Sequence, residues 1–139
     1  MKLSKNKVNN QRKEAEKNRY QFIDKSLFFP EEGILIVGDL HLGYESMLKE
    51  LGILIPRSEI EEVIDELRKI FEKIKSKNER INKVVFLGDI THLFAYEYIE
   101  KNYFKKILDF VKTQVEEKNI ILIKGNHDIF KLKDYVKYF

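Results

Sequence analysis

Apolar residues in this chain fall into short continuous runs and into longer stretches with helical spacing. The runs ILIV (34–37), VVFL (84–87) and ILI (121–123) predict buried strands. In residues 58–76 and 97–117, apolar side chains recur at i, i+3 and i+4, so each stretch predicts an amphipathic helix. Strands that alternate with helices in this way predict βαβ crossovers and a mainly parallel sheet, which is an α/β fold.

Both long helices have a predicted inner face, and a polar loop (75–82) follows the first. Ser58 followed by Glu61 is a capping-box pattern that predicts the start of the first helix, and Asn119 is predicted to lie just beyond the end of the second. The predicted buried residues of the first helix are Ile60, Val63, Ile64, Leu67, Ile70, Phe71 and Ile74. Those of the second helix are Tyr103, Phe104, Ile107, Leu108, Val111 and Val115.

Three other patterns are shorter. Residues 21–29 predict one strand, which a turn at 30–33 joins to the strand at 34–37 in an antiparallel pair, with Pro30 opening the turn and Gly33 closing it. Residues 44–51 predict a short helix ended by Gly52. Residues 129–139 predict an amphipathic helix with Phe130, Tyr135, Val136 and Phe139 as contacts.

Charge divides the chain into a leader (1–19) and a body (20–139). The leader has seven basic and two acidic residues, a net charge of +5, so the rest carries −2 of the total of +3. We expect the leader to be a flexible, solvated segment, with a phosphate-binding arm as the alternative. The chain has no cysteine, no apolar run long enough for a membrane helix and no secretory h-region, so we expect a cytoplasmic protein that does not bind membranes.

All three histidines lie in clusters that follow a predicted strand. The clusters are GDLHLG (38–43), GDITH (88–92) and GNHD (125–128). Because the carboxyl ends of parallel strands meet at one edge of a sheet, we expect the three clusters to meet there. Carboxylate, amide and imidazole groups at one point are what a divalent metal site needs.

Each cluster has a functional and a structural interpretation. Asp39 and His41 are two residues apart, so on a continued strand both would face one cation. For this motif taken alone, a helix-capping Asp beside an incidental His is the favoured interpretation. Asp89 could bridge two metal ions, and His92 could contact substrate or simply pair with a carboxylate.

The third cluster is the most specific. Asn126 offers a neutral metal ligand, and His127 could donate a proton or stabilise charge on a phosphoryl group. Asp128 could hold the His127 ring in one tautomer. The structural alternative is an Asn-His turn in which Asp128 caps a helix.

Taken together and in this order, the clusters resemble the first three motifs of the calcineurin-like metallophosphoesterases. The run GDLHLGYE with GD-x-x-H and KGNHD looks most like archaeal phosphoesterases related to ligase-associated DNA-repair nucleases, and the resemblance covers about 22–139. It implies the N-terminal half of an α/β/β/α sandwich and hydrolysis of phosphodiesters, nucleic acid among them, by a water that two metal ions activate.

The resemblance also implies roles for individual residues. Asp39 and His41 would hold one metal ion, Asp89 would bridge both, and Asn126 would hold the second. His127 would act on the scissile phosphate with support from Asp128. Manganese is the first choice of metal, with iron, zinc or nickel as alternatives.

The chain departs from the family pattern after His127, because the later histidine and G-H-x-H motif are absent. Either a second polypeptide supplies the C-terminal half, or the chain is a non-catalytic subunit or inactive remnant that keeps the fold. The intact motifs favour the first explanation. In both cases we expect weak or no activity from the chain alone and a tendency to associate. A nucleotide-binding Rossmann-like fold is disfavoured because no G-x-G-x-x-G or P-loop follows a strand.

Overall fold

The structure is a computed structural model, and it describes residues 7–13, 19–38, 40, 51–54, 58–88, 97–123 and 137–138. Its centre is a six-stranded mixed sheet in which the strands lie side by side in chain order. The strands are β1 (Gln21–Ile23), β2 (Ser26–Phe29), β3 (Ile34–Gly38), β4 (Lys83–Leu87), β5 (Ile120–Ile123) and β6 (Lys137–Tyr138). The helices are α1 (Glu59–Ser76) and α2 (Glu97–Lys112), with a short 3-10 helix at Glu117–Asn119.

The segment predicted as one strand at 21–29 is two strands, so that prediction was wrong. β1 and β2 form a tight antiparallel hairpin in which Ile23 lies opposite Ser26. Asp24 turns the chain with φ of 51°, a left-handed conformation that Asp tolerates better than most residues. The buried Ser26 hydroxyl donates to the Ile23 carbonyl at 2.6 Å, which satisfies a polar group inside the turn.

The turn predicted at 30–33 is confirmed, as is the antiparallel pairing of β2 with β3. Gly33 closes the turn with φ of +67° and donates its N–H to Phe29 O at 2.8 Å. A Cβ at Gly33 would lie 2.8 Å from Arg80 O and 2.5 Å from Asn82 Nδ2. Gly33 O in turn accepts from Asn82 N at 2.7 Å. Glycine is therefore required both by the backbone conformation and by the close approach of the loop before β4.

Helix α1 forms where its capping box and apolar spacing predict it. The Ser58 hydroxyl accepts from Glu61 N at 3.3 Å, which satisfies one of the unpaired donors of the first turn. Asn78 follows the helix with φ of 58°, a common C-terminal arrangement for Asn. The predicted inner face is confirmed, since its seven residues are buried or packed partly buried against the core: Ile60, Val63, Ile64, Leu67, Ile70, Phe71 and Ile74.

Helix α2 ends at Lys112, five residues before the predicted end at 117. After Lys112 the hydrogen bonding changes to the 3-10 pattern, because Thr113 N and Gln114 N donate to carbonyls only three residues back. The Thr113 hydroxyl also donates to Phe110 O at 2.6 Å, in competition with the helical pattern. Val115 is still buried, so its position in the apolar pattern reflects tertiary packing rather than helix.

The central strands β3, β4 and β5 pair in parallel, as predicted, and α1 and α2 are the crossovers between them. Residues 137–138 were predicted to be helical, and this was wrong: they form β6, which pairs in parallel with β5. Without β6, backbone groups at the outer edge of β5 would have no partner in the sheet. The hydrogen bonds that β6 makes with them outweigh the helical preference of a short amphipathic segment. Residues 129–136 lie outside the described residues.

The core lies between one face of the sheet and the two helices. Its sheet residues include Phe28, Leu35, Val84, Phe86, Ile120 and Leu122, all with 0% exposure. The helices pack against each other through the Phe71 and Phe110 rings, whose centroids are 5.9 Å apart. Phe104 of α2 packs edge-on against Phe86 at 6.1 Å. The fold is therefore α/β with helices packed on a mainly parallel sheet, as predicted.

In the leader, residues 7–13 are helical and exposed, including Lys7, Arg12 and Lys13. Of the helix predicted at 44–51, only Leu51 is described, and it lies in a turn with Gly52 at φ of +76°. Among the helices that the structure describes, none has the length and apolarity required to cross a membrane.

Candidate metal centre

The three strands that precede the histidine clusters are neighbours and end in register. Gly38 of β3 pairs with Leu87 of β4, and Leu87 pairs with Ile123 of β5. Gly88 N donates to Ile123 O at 2.7 Å and extends this contact one residue beyond β4. Adjacent strands lie about 4.8 Å apart, so the outer two of these three ends are separated by about 10 Å.

Each motif leaves the sheet from one of these ends. Asp39 follows Gly38 directly, Asp89 follows Gly88 directly, and Asn126 lies three residues after Ile123. The strand ends that precede the three motifs therefore lie at one sheet edge, as predicted. The seven predicted site residues themselves lie outside the described residues: Asp39, His41, Asp89, His92, Asn126, His127 and Asp128.

Gly38 lies between β3 and the first motif. It is the last residue of β3, and its φ is not in the left-handed region. A Cβ there would meet Leu87 Cβ at 3.6 Å, an ordinary van der Waals distance. The backbone at Gly38 therefore does not require glycine.

A cavity of about 150 Å³ lies between the end of β3 and the first half of α1. Gly38 and Leu40, the residues on either side of Asp39, line it together with Glu59, Glu62 and Glu66 of α1. These glutamates were not predicted as part of the site, although their spacing places them on neighbouring turns of one helix.

Three carboxylates in the first turn of α1 (Glu59, Glu61 and Glu62) offset the positive end of the helix dipole near this sheet edge. Lys25 from the β1–β2 hairpin also lines the cavity and offsets part of the negative charge. Within the part of the chain that the structure describes, no group of three or more His, Cys, Asp or Glu residues could hold a metal ion.

At the amino edge of the sheet, the hydrogen bond and the negative charge of Glu116 raise the pKa of Lys118, which precedes β5. At the carboxyl edge, the turn between β1 and β2 lies beside the end of β3, because Ser26 pairs with Val37. There Lys73 of α1 binds the Asp24 carboxylate at 2.9 Å and ties the hairpin to the helix.

Adjacent parallel strands, each followed by a motif with Asp or Asn, define an α/β protein with a candidate metal centre at one sheet edge. The model of the calcineurin-like phosphoesterase family matches residues 33–139. This match covers more than half of the chain, and the chain therefore belongs to the calcineurin-like phosphoesterase family. The family predicted from the three motifs is confirmed.

Among solved structures, the chain is similar to the nuclease MPE of Pseudomonas putida, with a TM-score of 0.54 and 19% sequence identity. The alignment covers 86% of this chain and 59% of that nuclease. At this identity the likeness establishes the fold alone. The chain thus spans 59% of the length of its structural relative. No curated protein sequence matches the chain.

Proposed function

We propose that the chain carries the N-terminal metal-binding motifs of a metal-dependent phosphoesterase that hydrolyses phosphodiesters. The observation that carries this proposal is the register of β3, β4 and β5, whose carboxyl ends are adjacent and lead into the three motifs. Family membership supports the same reaction class.

The donor set fits divalent metal ions, because two carboxylates, one imidazole and one amide combine oxygen and nitrogen ligands. Asp39 and His41 would hold one ion, Asp89 would bridge two, and Asn126 would hold the second. When bound, such ions polarise phosphoryl oxygens and lower the pKa of water so that it can act as a nucleophile at neutral pH. Manganese is the first choice, with iron, zinc and nickel as alternatives.

The chain's own side chains have separate roles in the proposed reaction. His127 donates a proton to the leaving oxygen or stabilises charge on the phosphoryl group, and Asp128 holds its ring in the required tautomer. His92 contacts the substrate.

Metal titration tests the centre directly. Isothermal calorimetry with manganese should give binding by the purified chain and at least about 100-fold weaker binding by Asp89→Asn, since even indirect ligand support is worth 10–100-fold. Asp109→Asn removes the same charge from the exposed side of α2 and should bind metal like the wild type. Equal binding by all three proteins would contradict the proposal.

Four protein ligands cannot complete the coordination of two metal ions, so we propose that a second polypeptide supplies the C-terminal half with the remaining ligands. The chain alone should therefore turn over bis-p-nitrophenyl phosphate weakly or not at all with manganese present. Robust turnover by the purified chain would refute the need for a partner, while leaving the metal centre in place.

Nucleic acid is the substrate that the leader favours. Its net charge of +5 and the exposed Lys7, Arg12 and Lys13 suit contact with a phosphate backbone. Deletion of residues 1–19 should abolish a salt-dependent affinity for DNA without changing the metal titration. DNA binding that survives the deletion, or that does not fall as salt rises, would count against this substrate class.

A non-catalytic subunit is the second candidate function, and the exposed apolar side chains Phe22, Leu87 and Ile123 on the sheet favour it. Such a subunit would keep the fold and associate with partners without binding metal. Under this alternative, Asp39→Ala and Asp89→Ala would leave association unchanged, and the wild type would show no metal binding by calorimetry.

A further inference from the structure

A groove, here called the α1 groove, lies between helix α1 and the tip of the β1–β2 hairpin. It begins as the cavity of about 150 Å³ beside Gly38 and Leu40. It continues as a second cavity of about 520 Å³, and the two share Lys25, Glu66 and Ile70 as lining residues. Small-molecule sites have volumes of about 300–1,000 Å³, so the two cavities together have the size of a ligand site.

The two ends of the α1 groove differ in charge. The near end, beside the candidate metal centre, is lined by Glu59 and Glu62 of α1. Lys69 and Lys73 of α1 line the far end, and Lys25 lies where the two cavities meet. A phosphate group is therefore repelled at the near end and attracted from the junction outwards.

The three lysines of the α1 groove differ in their ion pairing. Lys73 donates to both oxygens of the Asp24 carboxylate, at 3.0 and 2.9 Å, so its charge is already balanced. Lys25 and Lys69 are exposed, and neither forms an ion pair with another residue that the structure describes. Two ammonium groups, one from the hairpin and one from α1, are therefore available to an anion.

The floor of the α1 groove is apolar. Val37, Leu67 and Ile70 line it and are at most 4% exposed. The partly buried Leu40 and Val63 extend this surface toward the carboxyl edge of the sheet. A nucleobase suits an apolar floor beside carboxylates, because its ring faces are apolar and its N–H groups can donate to Glu or Asp.

We propose that the α1 groove binds the nucleotide next to the scissile phosphodiester. Gly38 and Leu40 flank Asp39 in the chain and line the near end, so a strand held at the metal centre enters the groove there. The nucleoside packs on the apolar floor beside the glutamates, and the next phosphate lies between Lys25 and Lys69. This inference rests on the proposed function for the choice of nucleic acid as ligand.

Fluorescence anisotropy with a labelled single-stranded oligothymidylate tests the two lysines, using the full chain in EDTA so that metal ions do not contribute. Lys25→Gln and Lys69→Gln should each lower the affinity at least about threefold. Each should also reduce the slope of log affinity against log salt by about 0.7, because one phosphate contact is lost. Lys105→Gln is the matched control, since Lys105 is exposed on α2 and does not line the groove.

An abasic oligomer of the same length tests the nucleoside contact. It should bind the wild type at least about threefold more weakly than oligothymidylate, because it leaves the apolar floor uncovered. Equal affinity for the two oligomers would overturn the proposal.

The variants can also overturn it. Equal affinities and salt slopes for wild type, Lys25→Gln and Lys69→Gln would do so, as would an equal loss in Lys105→Gln. The leader is the same in all these proteins, so the differences between them measure the groove. Because the assay contains no metal, its outcome is separate from the manganese titration, and either can fail while the other succeeds.

Discussion

The two faces of the sheet are made of the same residue types but lie in opposite environments. Phe86 and Leu87 are neighbours in β4, and the first has 0% exposure while the second has 46%. Two crossover helices cover the side of Phe86, and no described element covers the side of Leu87. The comparison shows that burial in this chain is decided by where the helices lie rather than by the hydrophobicity of individual strand residues.

The largest expected difference between the faces comes from removing a ring. Phe86→Ala should lower the free energy of unfolding by about 3–5 kcal/mol, since it leaves a cavity beside Phe104 in the helix-covered core. Phe22→Ala, the same change on the face opposite α1 and α2 (the open face), should lower it by no more than about 0.5 kcal/mol, since Phe22 is 78% exposed. Urea denaturation measures both, and equal losses would remove the distinction between the faces.

Gly33→Ala tests the turn between β2 and β3. Both faces of the sheet depend on this turn, because it joins two of the paired strands. The added Cβ is strained by the positive φ and meets Arg80 O and Asn82 Nδ2, so the variant should lose about 1–3 kcal/mol of stability. The same denaturation assay measures this loss. If Gly33→Ala were as stable as the wild type, the loop at 80–82 would be able to move away from the added Cβ without a loss of stability.

Ser58→Ala acts on the helix that covers only one face. Loss of the hydroxyl that accepts from Glu61 N should cost about 1 kcal/mol, seen as a lower midpoint of thermal unfolding. Ser58→Asp retains an acceptor and should preserve most of that stability. An unchanged midpoint in Ser58→Ala would mean that the cap contributes little beside the packing of α1.

The smallest expected effect compares two neighbours in β5. Ile120→Val removes a buried methylene from the covered face and should cost about 0.5–1.5 kcal/mol. Ile121→Val makes the same change on the half-buried open face and should cost only a few tenths of a kcal/mol in the same urea denaturation.

Much of the secondary structure could be predicted from local patterns. The strand at 83–87 and helix α1 were predicted nearly to the residue, because a continuous apolar run and a capping box with helical spacing are both local signals. The hairpin within 21–29 was missed because its turn depends on Asp24 adopting a left-handed conformation, which the apolar pattern hides. The end of α2 was misplaced because the buried Val115 continued the helical spacing beyond the helix.

For the candidate site, the sequence supplied the motifs and their order, and the structure supplied the adjacency of the strand ends that precede them. The pairing of Gly38 with Leu87 and of Leu87 with Ile123 joins positions far apart in the chain, and no local pattern encodes this register. The glutamates beside Gly38 were likewise not predicted as part of this edge, because the spacing of Glu59, Glu62 and Glu66 is also that of a solvated helix face. The roles of the seven motif residues stay predictions.

The sequence by itself determined the α/β class, the main helices and the family, because apolar periodicity, helix caps and ordered motifs are read locally along the chain. Only the tertiary structure decided which face of the sheet is covered. The central strands are apolar at both odd and even positions, so their alternation does not distinguish an inner from an outer face. The packing of α1 and α2 against one side makes that choice.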